Sequence, residues 1–395
     1  MTQALLGIRI ARISTVPFTM AAHLKSTINA LCEQGAQVVV IASDEPEMSI
    51  LRGLARVRCV PIDIPRNIAP WRDLKALISL YLFFRREQIQ IAHSTTPKAG
   101  LLTALAAFLA RVPVRLHTFT GQPWVTMHGP KRWLARLSDK VIGKLNTCCY
   151  ADSHSQRQFL ISQNIVNGNR LLVIGDGSLA GVDTQRFNRN RFAEENCVAL
   201  KRSLGIPEGA PILLFVGRIN PDKGVHELLQ AFAKIKAAGS NSHLVFVGRL
   251  DVESGASGLI SEKDIEEIPD AHLVAYTESP ESYFAIADIL CLPSYREGFG
   301  TVVIEAAAMG VPTVGTNIYG LSDAVEQGET GLLISPRNVP ELEIALELLL
   351  NDGLLRHKLG VAAKQRALAL FDSVRVNSLI VDEYHAQLRA AGIHQ

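Results

Sequence analysis

Short apolar runs alternate with segments of helical period from one end of this chain to the other, and this alternation constrains its fold more than anything else in it. In the first half the runs are IRIARIS, AQVVVIAS, IQIAHS, VPVRLHTF, CCYADS and RLLVIG. Helical patterns lie among them, at Ala22–Gln34, Asp73–Glu87 and Ala99–Ala110. Near-continuous apolar strands joined by helices build a parallel sheet covered on both faces. The pattern then restarts with PILLFVGR, SHLVFVGR, AHLVAYT, ILCLPS, PTVGTN and TGLLISP, with helical patterns at Val225–Ala237, Glu281–Ala287, Thr301–Met309 and Pro340–Asn351. Between the two series, GDGSLAGVDTQRFNRNRF reads as a linker. At 395 residues the chain is also too long for one ordinary core. The reading is therefore α/β, with two Rossmann-like doubly wound domains facing a central cleft. They span 1–180 and 190–372, and a last helical pattern at about 373–395 crosses back onto the first. Ligands in such sheets sit beyond the carboxyl ends of the strands.

Other features narrow the class. Arginines in MTQALLGIRIARIST break the apolar run that a signal peptide needs, and the longest apolar runs, ALISLYLFF and AGLLTALAAFLA, fall short of the roughly 20 residues of a bilayer span. Both read as core helices, and the expected location is cytoplasmic, peripheral at the inner face of the plasma membrane. Six scattered cysteines without a CxxC suggest buried thiols, neither disulfides nor zinc. The net charge of +2 hides an asymmetry: residues 1–175 carry 21 Lys+Arg against 9 Asp+Glu, and the remainder carries 19 against 29. A basic front half faces something anionic.

The stretch SYREGFGTVVIEAAAMGVP places Glu297 and Glu305 around a Gly-Phe-Gly turn that follows a strand and opens a helix. Gly298 and Gly300 let backbone approach a ligand, and the free N–H groups of the helix start favour phosphate or a sugar hydroxyl. Carboxylates there accept hydrogen bonds from paired hydroxyls. Taken alone, Glu297 is a loop residue and Glu305 a helix-dipole partner. However, LFVGRINPDKGVHELLQAF repeats the arrangement, with Arg218 after a strand and Lys223 before the next helix. Two cations at a strand end suit a diphosphate leaving group.

The set GR-(x)4-KG, EGFG and Glu297-(x)7-Glu305 resembles retaining glycosyltransferases of family 4, which have the GT-B fold. The resemblance covers most of the second half and continues more weakly through ADSHSQ and GVDTQRF. It implies that Arg218 and Lys223 hold the nucleotide diphosphate, that Glu297 contacts donor-sugar hydroxyls, and that Glu305 contacts the ribose. Gly298, Phe299, Gly300 and Thr301 would present backbone to sugar and phosphates. It implies no cofactor and no metal, only a nucleoside-diphosphate sugar as donor, with UDP expected. No DxD motif or His/Asp cluster stands in a suitable loop.

The first half departs from the family pattern. STVPFTMAAHL stands where a Gly-rich turn is usual, and Thr120-Gly121 where many members carry His-Gly. His117 and His93, near strand ends, and His128, on a loop with Trp124 that could cover an acceptor, are the available imidazoles; His117 is the candidate catalytic histidine, against a structural role for it. Arg132, Arg136, Lys140 and Lys144 recur every four residues and share one helix face, with Trp133, Leu134, Leu137, Val141 and Leu145 as the apolar side. That is either a membrane-surface helix or a solvated helix packed on the sheet. The basic front half favours an anionic membrane surface and, with it, a lipid-linked saccharide acceptor. Nucleic acid is not expected, because no aromatic residues interleave a basic strand. The expected activity is transfer of a hexosyl or N-acetylhexosaminyl group in O-antigen, capsule or exopolysaccharide assembly. The alternatives are a sugar-nucleotide epimerase on the same scaffold and a non-catalytic sugar-nucleotide-binding protein.

Overall fold

The computed structural model describes residues 4–251 and 259–393; residues 1–3, 394 and 395, at the edges of the first expected domain, lie outside them. The chain forms two compact units, one made of the chain up to Gly181 and from Ser373 onward, the other of Val182–Asp372.

The first unit holds a parallel sheet of seven strands: β1 (Arg9–Ile13), β2 (Gln37–Ala42), β3 (Val57–Pro61), β4 (Ile91–Thr95), β5 (Val114–Phe119), β6 (Cys148–Ala151) and the two-residue β7 (Leu171–Leu172). Their order is β3-β2-β1-β4-β5-β6-β7, with Ile10 beside both Val38 and Ile91. The helices that bear on function are α1 (Lys25–Glu33), α2 (Pro70–Glu87), α3 (Pro97–Leu109) and α4 (Gly129–Leu145). Pro at the start of α2 and α3 presets the first helical turn. The edge strand β3 carries Arg58, Cys59 and Pro61 with none of its residues buried, so no apolar run announces it. The expected glycine turn after β1 is replaced by a short helical start at Pro17 and a π-type turn over Met20–Leu24 that leads into α1.

The second unit holds six parallel strands: β8 (Ile212–Val216), β9 (His243–Val247), β10 (Ala271–Val274), β11 (Ile289–Leu292), β12 (Thr313–Thr316) and β13 (Gly331–Ile334), in the order β10-β9-β8-β11-β12-β13. Leu213, Leu214, Phe215, Phe246 and Leu290 are fully buried, as both faces of a covered parallel sheet require. Helix α5 (Val225–Ala237) follows β8, and α6 (Thr301–Ala308) follows β11. The strand order reverses between β8 and β11, which places the turns after these two parallel strands at the topological switch point.

The last helix, α7 (Ser373–Ala390), belongs to the first unit. Val376, Ile380, Tyr384 and Leu388 bury against a core that includes Ile28 and Leu31 of α1, and Thr27 donates to Asn377 Oδ1 at 2.7 Å. Beneath it lies a buried polar cluster. Arg12 of β1, 1% exposed, donates from Nη1 to His93 Nδ1 at 2.5 Å and to the Tyr384 hydroxyl at 2.6 Å. With Nδ1 accepting, the His93 proton lies on Nε2, which faces Thr118 Oγ1 at 2.8 Å. Burial, then the Arg12 charge, holds His93 well below the usual imidazole range. No carboxylate pairs with Arg12 among the described residues, so its charge rests on these neutral acceptors. Tyr384→Phe is therefore expected to cost about 1–3 kcal/mol, read as a lower urea midpoint with unchanged m.

Candidate functional site

Two strand–turn–helix units lock together at the switch point of the second sheet. After β8 the chain passes Gly217 and Arg218, makes a 3-10 turn over Pro221–Lys223, and enters α5 through Gly224 at φ +68°. A Cβ on Gly224 would stand 2.0 Å from the Pro293 carbonyl oxygen, so only glycine lets α5 start against the chain leaving β11. Tyr295 N–H donates to Asp222 O at 2.8 Å, and Arg296 pairs with Asp222 at 3.0 Å. Held this way, Lys223 Nζ contacts Glu297 Oε1 directly. The Ser294 hydroxyl donates to the same oxygen at 2.9 Å, and Thr316 Oγ1 fixes the Ser294 carbonyl. Both partners of the ion pair are largely buried, with side chains 21% and 13% exposed.

The turn itself is rigidly seated. Gly300 caps α6 at φ +89°, and a Cβ on Gly320 would come within 2.6 Å of the Glu297 carbonyl. Phe299 buries its ring 5.1 Å from that of Phe371. No side chain caps α6; Val303 N–H donates to the Gly300 carbonyl at 2.9 Å, which leaves the N–H groups of Thr301 and Val302 in the first turn for a ligand.

The remaining site residues are distributed differently from the simplest picture of one cationic pair. Arg218 is exposed and donates to Asp251 Oδ2 at 3.0 Å, which Asn220 also approaches at 3.3 Å. Glu305 sits beside Arg186 and Glu281, and Arg186 donates to Glu281 Oε2 at 2.7 Å. Burial pushes the Glu305 carboxyl up to about 7, against the pull of the Arg186 charge. Ser294, Asp251, Arg186 and Glu281 were not picked out by sequence reasoning. Their only signal is proximity in the fold, apart from Arg186, which lies in the GVDTQRF stretch.

In the first unit His117 is 1% exposed, with Nδ1 2.9 Å from the Ser94 hydroxyl. Its ring fits only because Gly100 of α3 has no side chain: a Cβ there would meet Cε1 at 2.5 Å. Burial lowers its pKa to about 3, so it stays neutral at physiological pH. His128 is exposed before α4. The expectation that Trp124 stands on an acceptor-covering loop is corrected. Its indole is 1% exposed, donates to Asp139 Oδ2 at 2.7 Å and stacks on Phe159. Trp124 is thus a core anchor, and Asp139, buried beneath it, is pushed up to about 7.

The shared basic face of α4 is corrected too. Arg136 turns inward, lies over the Trp124 ring and donates to the Gln163 carbonyl at 2.8 Å, while Arg132, Lys140 and Lys144 are exposed. The packed side of α4 is Ala135, Asp139, Ile142 and Gly143, and Trp133, Leu134 and Leu137 face outward.

At the carboxyl ends of β1, β4 and β6 the structure adds groups that the sequence did not reveal. Ser14 Oγ, Thr95 Oγ1 and Asp152 Oδ1 are buried without a protein hydrogen bond. Burial pushes Asp152 up to about 8. Its backbone is tied to the end of β5 through Gln156, which accepts from Asp152 N–H at 2.7 Å and donates to Thr120 O at 3.2 Å. Thr96, at φ +74°, holds Thr15 through its hydroxyl at 2.9 Å.

Comparison with known proteins gives the family. The model of glycosyl transferases group 1 matches residues 199–366, and that of the glycosyl transferase 4-like domain matches residues 18–177. The chain is 32% identical over 356 residues to the capsular polysaccharide biosynthesis glycosyltransferase CapM of Staphylococcus aureus, covering 89% of this chain and 90% of that one. The chain belongs to the GT-B glycosyltransferases of the family 4 type. Among solved structures, this glycosyltransferase shares its fold with a glycosyltransferase of Rickettsia africae, with a TM-score of 0.79 at 17% identity over 97% of this chain and 99% of that one. Anabaena HepE in complex with UDP-glucose gives the same score at 18% identity over 96% and 100%. Both scores speak for the fold alone.

Proposed function

We propose that this glycosyltransferase is a retaining enzyme that moves a hexosyl or N-acetylhexosaminyl group from a UDP-linked donor to a hydroxyl of a lipid-linked saccharide, in assembly of a capsule or related surface polysaccharide. The observation that carries the reading is the contact of Lys223 with Glu297 where the turns after β8 and β11 meet. It sets a cation and a carboxylate near the start of α6, which no side chain caps. Similarity to CapM supports the polysaccharide context, and the UDP-glucose complex of HepE, on the same fold, supports the donor class.

In this reading Arg218 and Lys223 neutralise the diphosphate as the bond from the sugar C1 to its oxygen breaks. No metal and no cofactor are assigned. Glu297 accepts hydrogen bonds from the donor sugar, Glu305 from the ribose, and the amides of Gly298–Thr301 meet sugar and phosphate. The acceptor hydroxyl bonds to C1 on the face that the diphosphate leaves, and its proton passes to the departing phosphate oxygen. No histidine is then required as base, and His117 acts as a neutral residue that positions β4 and β5. The acceptor is assigned to the first unit, where Ser14, Thr95 and Asp152 offer unpaired polar atoms to its hydroxyls.

The test is UDP release from a set of UDP-sugars with and without a polyprenyl-diphosphate saccharide, with the anomeric configuration of fresh product read by NMR. Acceptor-dependent release with retained configuration is expected. Conversion of donor to an epimer without acceptor, donor binding without transfer, or inverted product would each overturn the proposal.

A further inference from the structure

The first unit holds a cavity at the edge of its sheet opposite the one that carries Ser14, Thr95 and Asp152. About 580 Å³ in volume, it lies at the amino-terminal ends of β1, β2 and β3, with Leu6, Val38 and Ile89 among its apolar lining. Arg9 opens β1, Arg58 lies in β3 opposite Val39 of β2, and Arg56 stands in the turn before β3; all three line the cavity. Glu87, the last residue of α2, is the one carboxylate in the lining. The volume suits a small organic molecule better than a bare ion.

Charge identifies the occupant. Arg58 is held in place by the Glu87 carboxylate at 2.8 Å and lies over the Phe83 ring, 5.5 Å from its centroid. Arg9 and Arg56 have no carboxylate partner among the described residues. Arg9 donates from Nη2 to the neutral Gln88 Oε1 at 3.2 Å, and its Nε is buried with no hydrogen-bond partner. A buried donor without an acceptor calls for one. Arg56 sits at φ +65°, where glycine or asparagine is at ease and arginine is not, and its carbonyl accepts from the Cys32 thiol at 3.7 Å. Three guanidinium groups against one carboxylate leave the lining at +2. A phosphate monoester carries close to the opposite charge near pH 7. Strands β1 and β3 flank β2, so they lie roughly 10 Å apart, a span that two extended arginines close around one phosphate.

We propose that this cavity binds a soluble phosphate monoester with a small organic body, its phosphate on Arg9, Arg56 and Arg58 and its body against Leu6, Val38 and Ile89. The position separates this site from the reaction. Lys223, Glu297 and Glu305 belong to the second unit, and the edge with Ser14, Thr95 and Asp152 lies at the other end of the first sheet. A ligand in the cavity is therefore neither donor nor acceptor. It is a second, independent ligand, and the inference stands whether or not the transferase reading above does.

The experiment is calorimetric titration of the full chain with glucose 6-phosphate, beside inorganic phosphate, glucose, glucose 6-sulfate and succinate. Glucose 6-phosphate is expected to bind at one site. The sulfate ester has a single charge and inorganic phosphate has no body, so each should bind about 10-fold or more weakly. Glucose and succinate should not bind detectably. Arg56→Asn accepts the same backbone conformation without the charge, and Arg9→Gln keeps a donor without it. Each should weaken binding of the probe about 10-fold or more. Arg56 is exposed, so Arg56→Asn should melt as the wild type does in the absence of ligand. Lys223→Ala should bind the probe with wild-type affinity, which separates this cavity from the proposed donor site. Absence of binding, wild-type affinity in Arg56→Asn and Arg9→Gln, loss of binding in Lys223→Ala, or equal affinity for inorganic phosphate or succinate would each sink the proposal.

Discussion

Lys223→Ala is expected to lower transfer by about 10^2- to 10^3-fold in kcat, with the protein still folded. Among the described residues its ion pair is with Glu297, and in the proposed reaction it meets the charge that grows on the departing diphosphate. A donor aimed at developing charge in a dry site contributes most in the transition state, so the loss falls on kcat more than on KM. Glu297→Ala removes the other partner and the grip on the sugar, and should be similarly damaging. The double variant should be little worse than either single one, because the two side chains act as one unit. Lys223→Arg keeps the charge, but its larger fork does not fit the point contact to Glu297, and partial recovery is expected. Steady-state kinetics with far-ultraviolet circular dichroism and a melting curve check all four proteins. Turnover within threefold of wild type for Lys223→Ala would remove the basis of the site assignment.

The prominence of Lys223 and Glu297 in the sequence has a physical cause. Each lies in a glycine-bearing turn, and each turn follows a strand whose apolar run is unmistakable. The residues that neighbour Arg218 and Glu305 are less marked: Asp251 occupies an ordinary polar stretch, and Arg186 lies in GVDTQRF, where nothing local points to Glu305; both meet these residues only through the folded chain. The strands were readable for the same reason as the motifs, since a sheet covered on both faces leaves little room for polar residues. The exception, β3, lies at the edge and is partly exposed, so its Arg58 and Pro61 hide it. Helix periodicity, in turn, tells that a face is apolar and not what covers it. ALISLYLFF reads as core, yet only one side of α2 is buried. On α4 the outward face is the more apolar one, and the inward face is built from Ala135, Gly143 and Ile142 around a buried carboxyl.

Donor binding is expected to strengthen as pH rises through about 7, because Glu305 must be ionised to accept from two ribose hydroxyls. Burial raises its pKa from 4.5 to about 7, so much of it is protonated at neutral pH. Binding a ligand that prefers the carboxylate then releases a proton, and affinity falls by up to about tenfold per pH unit on the acid side. His93 and His117 stay neutral across this range. The sign for stability is opposite. The folded state holds a proton that the unfolded chain gives up, so between pH 4.5 and about 7 the contribution of Glu305 to stability falls as pH rises. Glu305→Gln copies the protonated form. At pH 8 it should melt higher than wild type, bind a UDP-sugar about 10-fold more weakly, and lose the pH dependence of that affinity. Asp139 and Asp152 titrate in the same range but belong to the first unit, and they remain in the variant, so any slope they impose would survive the substitution. Calorimetry in two buffers of different ionisation enthalpy separates the cases. Proton release by the wild type that vanishes in Glu305→Gln assigns the ribose contact to Glu305, and equal release by both proteins denies it.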